Sequence, residues 1–468
     1  MSERVRVAVV GGGITGLAAA LRLSETLAPG EVRLLEAEDR PGGKITTDRV
    51  DGLVIEGGPD CFLAMKPGGM SLCHELGLDE RVRGTNPAFR RTYIQRRGRM
   101  HRLPEGLSGL VPSKIGPLLT TGLLSPLGRI RAGLEMFVPR ATPDDESIAE
   151  FVTRRFGREA YDWLVEPLLS GIFAGDGERL SLSATFPQLV QLERDHGSIV
   201  RSMMRSRVAK RSKRPSGPGF VTTAGGLADI VDAAVRHLPE GTVRTGVRVA
   251  AMERTANGYQ LAIEGGGTLH AERVILATPA YASATLLRPL HGAIADELDA
   301  IPYVTSATVS LAFPADRVPR PFDGYGYVSP RAEGGPVVAC TWTSNKFPDR
   351  VPDGQVLVRY FLGRAGQEAI VAQDDAALLD VVQGELRRVS GITAEPSIAR
   401  VFRWPRGLPQ YHVGHRARLD RIEHHVVQLP GIALAGAAYR GVGLPDCITQ
   451  GRAAADRILG TAKAAVAA

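Results

Sequence analysis

A chain of 468 residues, 44% hydrophobic and 23% charged, has an ordinary globular composition with room for about three domain-sized units. Its formal charge of +7 and pI near 9.4 favour anionic partners, but no nucleic-acid module or basic stripe with stacking aromatics accompanies them, so no nucleic-acid partner is expected. The longest uncharged stretches, 7–21 and 115–128, are too short to span a bilayer, and four cysteines (Cys61, Cys73, Cys340, Cys447) without C-x-x-C spacing argue against metal or dithiol chemistry.

The chain enters its first strand at once, leaving no room for a signal peptide, so the expected location is cytoplasmic. Val7-Ala8-Val9-Val10 runs into Gly11-Gly12-Gly13-Ile14-Thr15-Gly16, and the pattern then turns helical through Leu17, Ala18, Ala20 and Leu21. In this Gly-x-Gly-x-x-Gly turn Gly11 permits the tight bend, Gly13 lets a pyrophosphate reach the backbone, and Gly16 allows close helix packing. The free N–H groups at the helix start face that anion. A second strand, Val32 to Glu36, ends in a carboxylate about 20 residues beyond the last glycine, where a ribose-binding acid belongs. Strand, turn, helix, strand and acid in that order predict a dinucleotide site.

Two further glycine turns follow closely: Arg40-Pro41-Gly42-Gly43-Lys44, and a strand from Leu53 ending in Gly57-Gly58-Pro59-Asp60. Each reads either as backbone wrapping along a long cofactor or as a plain turn. Residues 67–78 read as a helix and Tyr93 to Leu103 as a hairpin dense in arginine (Arg90, Arg91, Arg96, Arg97, Arg99). Residues 107–136 read as short helices joined at prolines, and 148–169 as a helical pair leading into Ser170 to Asp176. Arg201 to Arg214 carries seven basic residues and no acid, read as a solvated helix end and loop in preference to an anion-binding or membrane-surface patch.

After Thr223-Ala224-Gly225-Gly226-Leu227 opens another helix, short strands are predicted at 243–245, 248–253, 259–263 and 268–270, with a separate buried strand at 271–279. An antiparallel sheet is predicted from 304–313, 326–328, 337–342 and 355–363, with a helix over 374–388. The chain closes with a strand over Gly431 to Gly436 and a glycine loop, Gly441-Val442-Gly443-Leu444, before a last helix. This is a second glycine-rich helix start at the far end of the sequence. A nicotinamide dehydrogenase needs no such return, whereas a flavoprotein burying both halves of FAD does.

Five motifs are more specific than the dinucleotide fingerprint: Gly57-Gly58-Pro59-Asp60, Gly171-Ile172-Phe173-Ala174-Gly175-Asp176, Ser183-Ala184-Thr185-Phe186-Pro187, Leu408 to His415, and Gly436 to Ile448. With them the sequence resembles, over nearly its whole length, the oxygen-dependent porphyrinogen oxidases of haem biosynthesis, within the larger group that includes flavin amine oxidases. The resemblance implies an α/β chain with a split FAD-binding Rossmann-type domain (1–65, 220–290 and 425–468), an α+β substrate domain (66–99 and 291–424) and a helical insertion (100–219). It places FAD contacts on Gly11, Gly12, Gly13, Ile14, Thr15, Gly16, Glu36, Ala37, Gly43, Lys44, Gly57, Gly58, Pro59 and Asp60. It also places Val249 at the adenine, Trp404 and Val442-Gly443-Leu444 near the flavin ring, and Gly171 on the porphyrinogen cavity opposite the flavin.

Members of this family oxidise either protoporphyrinogen IX or coproporphyrinogen III. Aligned on Tyr93, the arginine by which the protoporphyrinogen type pairs with a propionate falls on Thr92, with Arg91 one residue earlier. The Gln410-to-His415 and Gly443-to-Asp446 segments also look like the coproporphyrinogen type, which is the expected substrate. The resemblance implies molecular oxygen as oxidant, flavin-based chemistry with no catalytic side chain, and no metal. It leaves open the oligomeric state, a peripheral membrane contact by the helical insertion, and a downstream haem-pathway enzyme receiving the product. A flavin amine oxidase or a non-catalytic tetrapyrrole-binding flavoprotein would use the same scaffold. Gly171 reads either as a close-packed glycine admitting a bulky substrate or as a helix-end turn, and His412 with His415 as a hydrogen-bonded structural pair in preference to proton acceptors.

Overall fold

The computed structural model describes residues 2–104, 107–108, 111–112, 116–141, 143–202 and 219–460. A seven-stranded sheet runs in the order Val243–Arg244, Val32–Leu35, Ser2–Val10, Thr268–Leu276, Gly258–Ile263, Val249–Thr255, and Ile432–Leu434 also pairs with Thr268–Leu276. The first strand lies parallel to both Val32–Leu35 and Thr268–Leu276, with Val7 opposite Val32 and Arg273. This is a Rossmann-type α/β layer whose strands come from the start, middle and end of the chain.

The two strands expected at 268–270 and 271–279 are one, Thr268–Leu276. Its neighbour changes midway: residues 268–271 pair antiparallel with Tyr259–Ala262, and Val274–Leu276 pair parallel with Ile432–Leu434. Sequence alternation followed by a buried run recorded that change of neighbour and resembled a break.

A second seven-stranded sheet carries the other half: Ile398–Pro409, Tyr303–Pro314, Gln355–Leu362, Val337–Trp342, Gly326–Val328, Thr92–Arg96, Arg99–Arg102. It is mixed where pure antiparallel order was expected, because the arginine-rich hairpin joins its edge with Thr92 beside Gly326 in a parallel pair. The twelve-residue edge strand Ile398–Pro409 was not anticipated; Pro405 and arginines at every third position (Arg400, Arg403, Arg406) mask its period. Helices Gly292–Asp299 and His415–Val426 pack on the first sheet: Ile294, Leu298, Leu419 and Ile422 share a core with Val5, Ala8 and Val10.

The helical layer is built on Ile148–Phe156, Glu166–Phe173 and Pro187–His196, around Phe151, Leu164 and Leu169. Ser147 and Glu150 form a reciprocal capping box at its first helix. The short-helix reading of 107–136 holds only after residue 116, since Leu107–Ser108 and Val111–Pro112 pair as strands. Leu127, Ile130 and Phe137 are exposed there, and among the described residues no helix is long and apolar enough to cross a membrane. Of the basic run at 201–214, all but Arg201 and Ser202 lies outside the described residues.

The first and last helices, Ile14–Ser24 and Leu444–Leu459, lie against each other. Gly451 makes this possible: a Cβ there would stand 2.2 Å from the Thr15 carbonyl oxygen. Backbone cannot yield that space cheaply, and overpacking costs roughly 1–3 kcal/mol. Gly451→Ala is expected to lower stability by about that amount in a denaturant titration; unchanged unfolding would contradict the close approach.

Candidate functional site

The opening turn is dictated by its glycines. Gly11 holds φ +106°, and a Cβ on it would meet the Ala277 carbonyl oxygen at 2.8 Å. At Gly16 a Cβ would stand 1.9 Å from the Gly11 carbonyl oxygen, so this glycine lets the helix close on its own turn. Gly13 differs: a Cβ there would meet nothing within 4 Å, and the space in front of it is open. Ile14 and Thr15 are buried in the helix that follows.

The Glu36 carboxylate accepts from the Gly12 N–H at 2.6 Å and from the Glu38 N–H at 2.9 Å, fixing it against the turn. The Val247 N–H donates to the Glu36 carbonyl at 2.8 Å, which brings Val249, two residues on, near Glu36 and half-buried Ala37. The second glycine turn folds over the first: the Gly42 N–H donates to the Gly12 carbonyl at 2.8 Å, and a Cβ on Gly43 would lie 3.3 Å from the Gly13 Cα. Both expected turns therefore converge.

Lys44, next in chain, is half-buried and has no carboxylate partner among the described residues. Burial pulls its pKa down, and its charge acts on the Cys447 thiol in the first turn of the last helix. Lys44 thus stands near both turns: it follows Gly43, which lies on Gly13, and it acts on Cys447 at the start of the last helix.

The last helix begins after Gly443, its N-cap, with Leu444 first. Tyr411 holds the loop before it, its hydroxyl donating to the Ala437 carbonyl at 2.6 Å and accepting from the Gly441 N–H at 2.9 Å. Burial raises its pKa, so it remains a phenol. The His415 ring stacks on Tyr411, centroids 4.2 Å apart, and its Nε2 faces the Tyr439 carbonyl at 3.1 Å, which places the proton there. His415 thus clamps the loop, no hydrogen bond joins its ring to that of His412, and burial lowers the pKa of both.

The Gly57–Gly58 turn is pinned from behind. The Gly57 carbonyl accepts from Trp404 Nε1 at 2.9 Å, Thr308 Oγ1 at 3.0 Å and Arg359 Nη2 at 3.0 Å. A Cβ on Gly58 would stand 1.8 Å from the Lys44 carbonyl oxygen, so this turn seats on the second one. Past Pro59 the Asp60 side chain points away, to Lys346 Nζ at 2.8 Å. Burial works against its carboxylate, but Lys346 and Arg359 outweigh it and hold the pKa below the ordinary range. Thr308, Lys346, Arg350 and Arg359 were missed from sequence; single polar side chains in strands and short helical turns carry no local pattern.

Gly171 lies in the last turn of the helix Glu166–Phe173, whose left-handed end residue is Ala174. It is exposed, and a Cβ there would approach Val328 Cγ1 at 3.3 Å. Val328 pairs with Ile94, two residues beyond Thr92 on the same strand, and Val442 packs against the core containing Leu169 and Phe173. The Gly171 helix, the Thr92 strand and the second helix start thus share one region. Arg91 is ion-paired to Asp323, and Arg96 is bound to Glu159, so neither charge is uncommitted.

These features fit an extended anionic group lying along both helix starts: an open face at Gly13, an unpaired cation at Lys44, and backbone turns too tight for side chains. The comparisons agree with the geometry. The family model for flavin containing amine oxidoreductases matches residues 14–459. The chain is 38% identical to the coproporphyrinogen III oxidase of Bacillus subtilis, covering 96% of each, and 31% identical to the chloroplastic protoporphyrinogen oxidase of Oryza sativa subsp. japonica, covering 94% of this chain and 85% of that one. A solved structure from Exiguobacterium sp. 255-15, provisionally named protoporphyrinogen oxidase, superposes with TM-score 0.86 at 32% identity, covering 97% and 98% of the two chains.

Two outcomes follow. Gly13→Val, with room for its side chain, is expected to unfold like the parent yet bind no flavin; normal flavin content would contradict the open face as the cofactor's seat. His415 is 1% exposed and burial pushes its pKa down to about 4. The unfolded chain takes up this proton near pH 6.5 and the native one not until about 4, so stability falls as pH drops through that window, by on the order of 3 kcal/mol. His415→Phe should show a shallower loss between those pH values in denaturant titrations; an unchanged slope would contradict it.

Proposed function

The chain belongs to the flavin containing amine oxidoreductase family, and from that premise we propose that it uses FAD and molecular oxygen to oxidise coproporphyrinogen III to coproporphyrin III. The observation that carries the substrate is the near full-length likeness to a coproporphyrinogen III oxidase at 38% identity, against 31% for a chloroplastic protoporphyrinogen oxidase. That second likeness keeps protoporphyrinogen IX as the other reading.

On this proposal a bound flavin would supply the redox chemistry, a loss of six electrons and six protons from the macrocycle in three two-electron rounds, each balanced by one oxygen reduced to hydrogen peroxide. The protein binds and orients. Gly11 to Gly16 would receive the pyrophosphate at the first helix start, Glu36 the ribose, and Val249 the adenine. Gly43, Lys44, Gly57 to Asp60, Trp404 and Val442 to Leu444 would enclose the remainder. Exposed Gly171, without a side chain, would leave the width a tetrapyrrole needs against Val328 and Thr92. The division into a discontinuous cofactor half, a substrate half and a helical insertion belongs to the same proposal, with helices Gly292–Asp299 and His415–Val426 counted in the cofactor half.

Purified protein given each porphyrinogen side by side should consume oxygen and gain porphyrin fluorescence with the higher kcat/KM on coproporphyrinogen III. A preference for protoporphyrinogen IX would overturn the substrate. Peroxide from amines with none from either porphyrinogen would overturn the reaction.

A further inference from the structure

A buried charge cluster lies behind the Gly57–Gly58 turn. Its carboxylates are Glu56 and Asp60; its cations are Lys346, Arg350 and Arg359. Lys346 pairs with Asp60 at 2.8 Å and Arg350 with Glu56 at 2.9 Å. Arg359, only 3% exposed, has no carboxylate within ion-pair distance among the described residues. Its Nη2 donates to the Gly57 carbonyl at 3.0 Å and to the Gly58 carbonyl, while its Nε and Nη1 have no hydrogen-bond partner among the described residues and its guanidinium lies 4.8 Å over the Phe361 ring. The interior thus holds three cations against two carboxylates. Burying an uncompensated charge is unfavourable, and burial indeed pulls the Arg359 pKa down. A fold retains such a group at least cost where a countercharge arrives with a ligand.

We propose that Arg359 is a positioning residue for the cofactor: it fixes the Gly57–Gly58 turn, and its unpaired positive charge favours the reduced, negatively charged flavin over the oxidised, neutral one. The proposal rests on the reading that this turn and Trp404 flank the flavin. It makes the oxidised cofactor a stronger acceptor toward substrate, through a group that touches neither substrate nor oxygen.

The test is the midpoint potential of the bound flavin, measured anaerobically against a reference dye, with flavin content recorded first. Arg359→Met should lower the preference for reduced over oxidised flavin at least tenfold, about 30 mV for a two-electron couple. Arg359→Lys, which keeps the charge, should recover most of that loss. Asp60→Asn, which removes an opposing charge, should shift the potential the other way. Equal potentials in the parent and Arg359→Met would overturn the assignment, as would a loss that Arg359→Lys does not rescue, the pattern of a merely loosened turn. Should Arg359→Met retain no flavin, Asp60→Asn decides, and an unchanged or lowered potential overturns the assignment. A parent protein that takes up no flavin overturns the site reading and this inference together, and is recognised before any variant is compared.

Discussion

The close contact between the first and last helices governs the rest of the structure. Gly451 sits on the Thr15 carbonyl, and the two chain ends are thereby drawn to one place more than four hundred residues apart. Either helix start alone offers a few N–H groups and half a dipole. Brought together, with Lys44 near both, they would offer negative charge more than one point of contact. The long central segments are then free to build a second sheet and a helical layer without disturbing that face.

Rigidity around the face comes from bonds made behind it. Tyr411 and His415 reach from the end of the edge strand and the following helix to three backbone groups of the 437–441 loop. Trp404, Thr308 and Arg359 together saturate the Gly57 carbonyl. Side chains from the second sheet, and from the segment that leads out of it to the helix His415–Val426, fix turns of the first half, so that half does not complete the site by itself. Precise placement of this kind is what a redox cofactor requires from its protein, because the chemistry itself belongs to the cofactor.

The sequence made the local parts of this arrangement legible. Gly11 to Gly16, Glu36 and the Gly441–Leu444 loop announce themselves because helix starts and tight turns constrain neighbouring residues only. The convergence of Gly43 on Gly13 was one of two open readings, and only the fold decides it. Non-local features were not legible: the change of neighbour along Thr268–Leu276, the parallel joining of Thr92 to Gly326, and the cluster of Glu56, Asp60, Lys346, Arg350 and Arg359. Each depends on segments tens to hundreds of residues apart, and no period of two or 3.6 records such a meeting. Gly171 shows the intermediate case, since its motif is visible but its place inside a helix against Val328 is not.

The central proposal is that the paired helix starts, with Lys44 near both, form one seat for a whole flavin dinucleotide. The most direct measurement is the identity and amount of flavin released by heat from the purified full-length protein. The account predicts FAD at one per chain. FMN, or no flavin after incubation with FAD, would contradict it.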